Sequence, residues 1–104
     1  MQQVPTSLTP AQRQLVEYIH PVNYGRIEGL AIQHGQPILD PLPRRMFQEK
    51  FSAKKQAEPK PSLAELATKP QVAQLMERLS SLSDGTVVTI EIQSGLPFLA
   101  SWEG

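Results

Sequence analysis

A run of basic side chains in the middle of the chain is interleaved with large apolar ones. The run consists of Arg44, Arg45, Lys50, Lys54 and Lys55, with Met46, Phe47 and Phe51 between the cations. Cations can contact phosphate groups while aromatic rings stack on bases, so this combination is typical of nucleic-acid binding. The five cations are therefore the candidate nucleic-acid-binding residues.

A structural role for the same segment is the alternative. Met46, Phe47 and Phe51 would then dock on the open face of a sheet or between helices, and the lysines would stay in solvent. We expect this docking, because small domains seldom leave two phenylalanines exposed. Since Phe47 and Phe51 are four residues apart, residues 44–58 are predicted to form a short helix with these rings on one side.

Two carboxylates, Glu17 and Glu77, stand sixty residues apart in similar local sequences. A pair of carboxylates that burial brings together can act as an acid–base dyad or bind a small ligand. Each adjoins an apolar helical stripe without belonging to it, so we expect both to face solvent. They remain the candidate residues for a small-ligand site.

The residue types that most often carry catalysis or metal binding are sparse. The chain has no cysteine, and its two histidines, His20 and His34, have no second ligand at metal-binding spacing. A phosphate-binding glycine loop is absent, and no serine has the histidine and acid that nucleophilic catalysis requires. The sequence therefore predicts no enzyme activity, no catalytic residue, no metal and no cofactor.

The elements that would position these residues occur twice. Shifted by sixty residues, positions 10–39 align without a gap on 70–99, with ten identities in thirty positions. The identical pairs are Pro10/Pro70, Gln14/Gln74, Leu15/Leu75, Glu17/Glu77, Gly25/Gly85, Ile32/Ile92, Gln33/Gln93, Gly35/Gly95, Pro37/Pro97 and Leu39/Leu99. About two would be expected by chance from average composition. The chain is therefore predicted to be a tandem duplication.

Each copy has the pattern of a helix followed by a β-hairpin. Thr9, Pro10 and Gln12 form a helix start with a capping box, and Ser62 with Glu65 predicts a second, brief helical turn. Residues 26–33 and 86–93 alternate as strands, and each is followed by a polar-glycine hairpin turn and a returning strand. In the first strand Leu30 and Ile32 share one face and Ile27 lies on the other. In the last, Leu96, Phe98, Ala100 and Trp102 share a face.

A proline in each returning strand predicts the strand order. Pro37 and Pro97 cannot donate to a β-ladder, which confines their strands to sheet edges. The predicted fold is α+β: two α-β-β units form a four-stranded antiparallel sheet in the order 2-1-3-4, with the helices on one face and a pseudo-twofold axis. A single domain, 1–104, would contain repeats 9–40 and 69–102 joined by a basic connector, 41–61.

Charge is distributed unevenly along this small chain of 104 residues. The connector carries six basic and two acidic side chains, a net charge of +4, and the remainder carries four basic and eight acidic ones, a net charge of −4. The N-terminus lacks the features of a signal peptide, and no apolar run is long enough to span a membrane. With no cysteine present, we expect a cytoplasmic protein.

The segments QRQLVEYI and NYGRIEGLAIQHGQPIL in the first copy resemble the small YezD-like bacterial proteins. The resemblance rests on Tyr24-Gly25, the alternating strand and His34-Gly35, and Asp84 replaces the tyrosine in the second copy. It implies a helix followed by a hairpin, and it implies no catalytic residue.

These observations leave three functions open. We expect a non-enzymatic interaction or regulatory module that binds a protein partner. The alternatives are nucleic-acid binding through the connector and small-ligand binding where the repeats meet. Because edge strands bearing proline pair poorly with further strands, we expect a monomer, with a homodimer as the alternative.

Overall fold

The computed structural model describes residues 8–49, 51 and 61–103. Three helices and five strands lie within them. In chain order they are α1 (Pro10–Ile19), β1 (Tyr24–Gln33), β2 (Gln36–Ile38), β3 (Arg44–Gln48), α2 (Leu63–Ala67), α3 (Pro70–Ser80), β4 (Val87–Gln93) and β5 (Leu96–Trp102). The α+β class and the antiparallel sheet are as predicted.

The helices begin where the sequence predicts. At α1 the Thr9 hydroxyl accepts from the Gln12 backbone N–H at 3.1 Å, and the Gln12 side chain accepts from the Thr9 N–H at 3.0 Å. Ser62 and Glu65 form the same capping box at α2. Proline occupies the first helical position of both α1 and α3, where its missing N–H has no intrahelical role.

The sheet runs in the order β2-β1-β4-β5, with β3 also paired to β1. This is the predicted path, with both proline-bearing strands at the edges, but the predicted count of four strands is wrong. β2 pairs only with the last three residues of β1, and β3 pairs with its first five. Together β2 and β3 occupy one edge of the sheet, whereas β5 occupies the other alone.

The prediction of a short helix in residues 44–58 is wrong for its first five residues, because Arg44–Gln48 forms β3. Lys50 and residues 52–58 lie outside the described residues. The first half of β1 would otherwise lie at an unpaired edge, and β3 supplies antiparallel partners from Tyr24 to Glu28. Strand pairing gives the backbone N–H and C=O groups of both strands hydrogen-bond partners, and a short isolated helix is marginally stable. Non-local pairing therefore outweighs the local helical spacing of Phe47 and Phe51.

Two bulges change which side chains share a face. The register of β1 on β4 shifts between Ile27 and Leu30, next to Gly29 at φ 80°. Ile27 is consequently fully buried with Leu30, not on the opposite face as predicted. A second shift, opposite Glu91 and Ile92, leaves Phe98 without a partner in the β4–β5 register and interrupts the alternation along β5.

One face of the sheet packs against the helices and forms the core. The strand residues of this core are Ile27, Leu30, Ile32, Val88, Ile90 and Ile92. The helical ones are Leu15, Val16, Ile19, Leu66, Val72, Leu75, Met76 and Leu79. The opposite face has no covering element among the described residues and carries Arg26, Glu28, Thr89 and Glu91. No described helix is long and apolar enough to cross a membrane.

Candidate interaction surfaces

Strand β3 presents its side chains at the edge of the sheet. The Arg44 side chain is 73% exposed, with its Nη1 3.8 Å from Glu28 Oε1. Phe47 is 59% exposed and Phe51, just beyond the strand, is 85% exposed. We call Arg44, Arg45, Phe47 and Phe51 the β3 cluster. In it, two adjacent cations are followed by two aromatic rings at an accessible edge.

The expected docking of Phe47 and Phe51 on the sheet or between helices is therefore wrong. Phe47 lies opposite Gly25 in the β1–β3 register, and glycine offers no side chain against which a ring can be buried. Met46 lies opposite Arg26 on the outer face and is half-buried.

Arg45 is held on the helix-facing side of β3. Its guanidinium carbon lies 4.3 Å from the centroid of the Tyr18 ring and 5.3 Å from that of Phe47, both within cation–π range. Its Nη1 donates to the Tyr18 carbonyl oxygen at 3.1 Å, and the Tyr18 hydroxyl donates to the Pro43 carbonyl at 2.7 Å. These contacts fix the start of β3 against α1.

The remaining candidate nucleic-acid-binding residues, Lys50, Lys54 and Lys55, lie outside the described residues. Their assignment to the connector rests on sequence alone. The described part of the site is thus the β3 cluster with its contacts to Tyr18 and Glu28.

The structure does not bring Glu17 and Glu77 together in one site. Both are exposed, as expected. Glu17 lines a concavity of about 590 Å³ between α1 and β2, whereas Glu77 lines another of about 420 Å³ beside α2. The arrangement gives no support to a ligand site shared by these carboxylates.

His34 lies in the β1–β2 turn, where it contacts Asp84 in the loop before β4. Its backbone N–H donates to Asp84 Oδ1 at 2.7 Å, and its Nδ1 lies 3.8 Å from Asp84 Oδ2. Within the described residues, no three His, Cys, Asp or Glu side chains are grouped as metal binding would require. We interpret His34 and Asp84 as a contact between turns.

The second sheet edge carries an apolar surface that the sequence pattern did not predict. Phe98 and Leu99, next to the β5 bulge, are 54% and 49% exposed, and Trp102 is partly exposed at the strand end. A concavity of about 250 Å³ separates these residues from α3. Leu39 and Leu99 are identical across the sixty-residue shift, but Leu39 packs against the core, so the identity did not single out Leu99 as a surface residue.

Comparisons with protein-family models, with curated proteins and with solved structures give no match for this chain. The resemblance to YezD-like proteins therefore stays a prediction. The two sheet edges carry the exposed aromatic and apolar side chains described above.

Proposed function

We propose that the protein is an intracellular, non-enzymatic binding module whose β3 cluster and connector bind single-stranded nucleic acid. The observation that supports this best is the exposure of Phe47 and Phe51 beside Arg44 and Arg45. If both rings were buried, their role would be to stabilise the fold. Exposed rings beside cations have the composition of a surface that stacks bases and neutralises phosphates.

The charge distribution supports a polyanionic ligand at this edge. The connector carries +4 while the rest of the chain carries −4, so a phosphate backbone is attracted to the connector and repelled elsewhere. Among the described residues Arg44 has one carboxylate contact, 3.8 Å from Glu28, and its side chain is largely in solvent. A phosphate can therefore replace Glu28 as its partner at little cost.

The aromatic rings favour single strands over a duplex. Bases inside a duplex are already stacked on one another, whereas bases of a single strand can stack on Phe47 and Phe51. Arg45 lies between Tyr18 and Phe47, which holds the Phe47 ring next to a fixed positive charge.

Binding of a fluorescent oligothymidine of about twelve nucleotides tests the proposal. The full chain should bind at low salt, and changing Arg44, Arg45, Lys50, Lys54 and Lys55 together to alanine should abolish binding. Equal binding by the two proteins would overturn the proposal, provided that their circular dichroism spectra agree.

A matched control separates local recognition from total charge. Replacing Arg44, Lys50 and Lys54 with alanine removes three positive charges from the connector. Replacing Arg13, Lys69 and Arg78 removes three from the acidic remainder. We expect the first triple variant to weaken oligothymidine binding far more, and equal weakening would indicate nonspecific attraction.

We also propose that the fold consists of two α-β-β units related by a pseudo-twofold axis. The sixty-residue shift maps Tyr24 onto Asp84 and His34 onto Ser94. Asp84 binds His34, and correspondingly the Tyr24 hydroxyl lies 3.3 Å from Ser94 Oγ. Both contacts join the start of one hairpin to the turn of the other, as a twofold arrangement requires.

A further inference from the structure

Two grooves lie between a helix and an edge strand, one at each edge of the sheet. The β2 groove lies between α1 and β2, and the β5 groove between α3 and β5. The sixty-residue shift relates three identical lining pairs: Gln14/Gln74, Pro37/Pro97 and Leu39/Leu99. The two grooves are therefore built from equivalent positions.

Folding does not account for all of these identities. Pro37 and Pro97 are buried, but Gln14, Gln74 and Leu99 are exposed. Exposed side chains away from caps and turns contribute little to stability. Gln14 and Gln74 are therefore available to a ligand in both grooves, whereas Leu39 packs against the core and Leu99 is exposed.

The β5 groove combines an apolar wall with one positive charge. Leu75 is nearly buried beneath it, and Phe98 and Leu99 are about half exposed. Arg78 is the one charged residue among those that line it, with its guanidinium carbon 5.8 Å from the Trp102 ring centroid. A ligand with apolar side chains and one carboxylate would complement this surface.

Strand β5 also offers backbone groups. Among the described residues it pairs with β4 alone, so the part of its other edge beyond Pro97 and the bulge at Phe98 is available to a short additional strand. An extended peptide can add to such an edge through main-chain hydrogen bonds while alternate side chains enter the adjacent groove.

We propose that the β5 groove binds an extended peptide that carries apolar residues and an acidic side chain. The peptide pairs with the free edge of β5, its apolar side chains contact Phe98 and Leu99, and its carboxylate pairs with Arg78. This site is separate from the β3 cluster at the opposite edge of the sheet.

Other occupants fit this groove less well. A second copy pairing through β5 would insert residues 96–102, which contain no acidic side chain to pair with Arg78. A nucleic acid would meet one cation in a part of the chain whose net charge is −4.

Peptide selection tests the proposal. Nine-residue peptides that bind the protein are selected from a random phage-displayed library, synthesised, and titrated by calorimetry. Selected peptides should combine apolar residues with Asp or Glu. Arg78→Glu should weaken them by about tenfold or more, because it places two negative charges together. The matched reversal Arg13→Glu, on an exposed position of α1 outside both grooves, should leave affinity unchanged.

Three outcomes would overturn the proposal. The selection could yield no peptide that binds the purified chain, or peptides whose affinity Arg78→Glu and Leu99→Lys leave unchanged. Sedimentation could show a dimer that Leu99→Lys dissociates, in which case a second copy is the occupant. Folding of each variant is verified by its circular dichroism spectrum, and Arg78→Lys should retain most of the affinity.

Discussion

Arg45 and Arg44 are adjacent in sequence and face different surroundings. Arg45 contacts two aromatic rings and donates to the Tyr18 carbonyl, whereas Arg44 is largely exposed and lies 3.8 Å from Glu28. Arg45 therefore has a structural role in addition to its charge. Arg44 is available for a ligand.

Replacing each arginine with lysine separates these roles. Arg45→Lys keeps the charge and loses the planar stacking, so we expect the free energy of unfolding to fall by about 1 kcal/mol. Arg44→Lys should change it by less than about 0.5 kcal/mol. Urea unfolding measures both, and equal effects would contradict the assignment of Arg45 to the β3–α1 contact.

Phe47 is the aromatic residue of the β3 cluster that the fold holds in place. Phe47→Ala should weaken oligothymidine binding about fivefold or more, because stacking contributes roughly 1–3 kcal/mol per base. Phe47→Leu should not restore affinity, since an aliphatic side chain cannot stack. Leu42→Ala is the control, as it removes a 64% exposed apolar side chain outside the cluster. A similar loss from Leu42→Ala would indicate general hydrophobic contact.

At the scale of elements, Gly25 allows β3 to approach β1. A Cβ on Gly25 would lie 2.0 Å from the Met46 carbonyl oxygen, and its φ is 152°. A Cβ on Gly85, which lies sixty residues later in the chain, would meet nothing within 4 Å, although its φ is 88°. The two glycines thus share a conformational requirement and differ in packing.

Alanine substitutions at these glycines should therefore have unequal effects. Gly85→Ala introduces only positive-φ strain, about 1 kcal/mol. Gly25→Ala must also displace β3, so we expect a loss of about 3 kcal/mol or more and weaker oligothymidine binding. Thermal and urea unfolding provide the comparison. Equal destabilisation would mean that the β1–β3 contact is not as tight as described.

Local sequence signals predicted the elements that local chemistry specifies. Thr9 with Gln12 marked a helix start, and His34-Gly35 marked a hairpin turn, in which both residues have positive φ. β3 was missed because its pairing with β1 is non-local and its residues also fit a helix. The bulge beside Gly29 was missed because a single glycine inside a strand does not reveal a register shift.

The candidate site was predictable only in part. Residue types located the cations and aromatic rings of the connector, but exposure depends on what lies across the sheet. Phe47 remains exposed because it lies opposite Gly25. The spacing of apolar residues within 44–58 does not predict that pairing. The β5 groove depends on the bulge at Phe98, so alternation along Leu96–Trp102 placed its side chains incorrectly.

At the scale of the whole molecule, the sheet separates two surfaces of different chemistry. The β3 edge carries the basic connector and is proposed to bind nucleic acid. The β5 edge has an apolar groove with one arginine and is proposed to bind a peptide. Because the two edges lie on opposite sides of the β1–β4 pair, both ligands can bind at once. Saturating the protein with a selected peptide should leave oligothymidine affinity unchanged, and competition between the ligands would contradict separate sites.

The salt dependence of oligothymidine binding tests the central claim most directly. Each cation that neutralises a phosphate of a single strand contributes about −0.7 to the slope of log K against log salt concentration. If Arg44, Arg45, Lys50, Lys54 and Lys55 all contact phosphates, the slope between about 50 and 200 mM salt should be about −3.5. Changing Arg44 alone to alanine should make the slope shallower by about 0.7. A slope near zero, or the same slope in wild type and Arg44→Ala, would contradict the account.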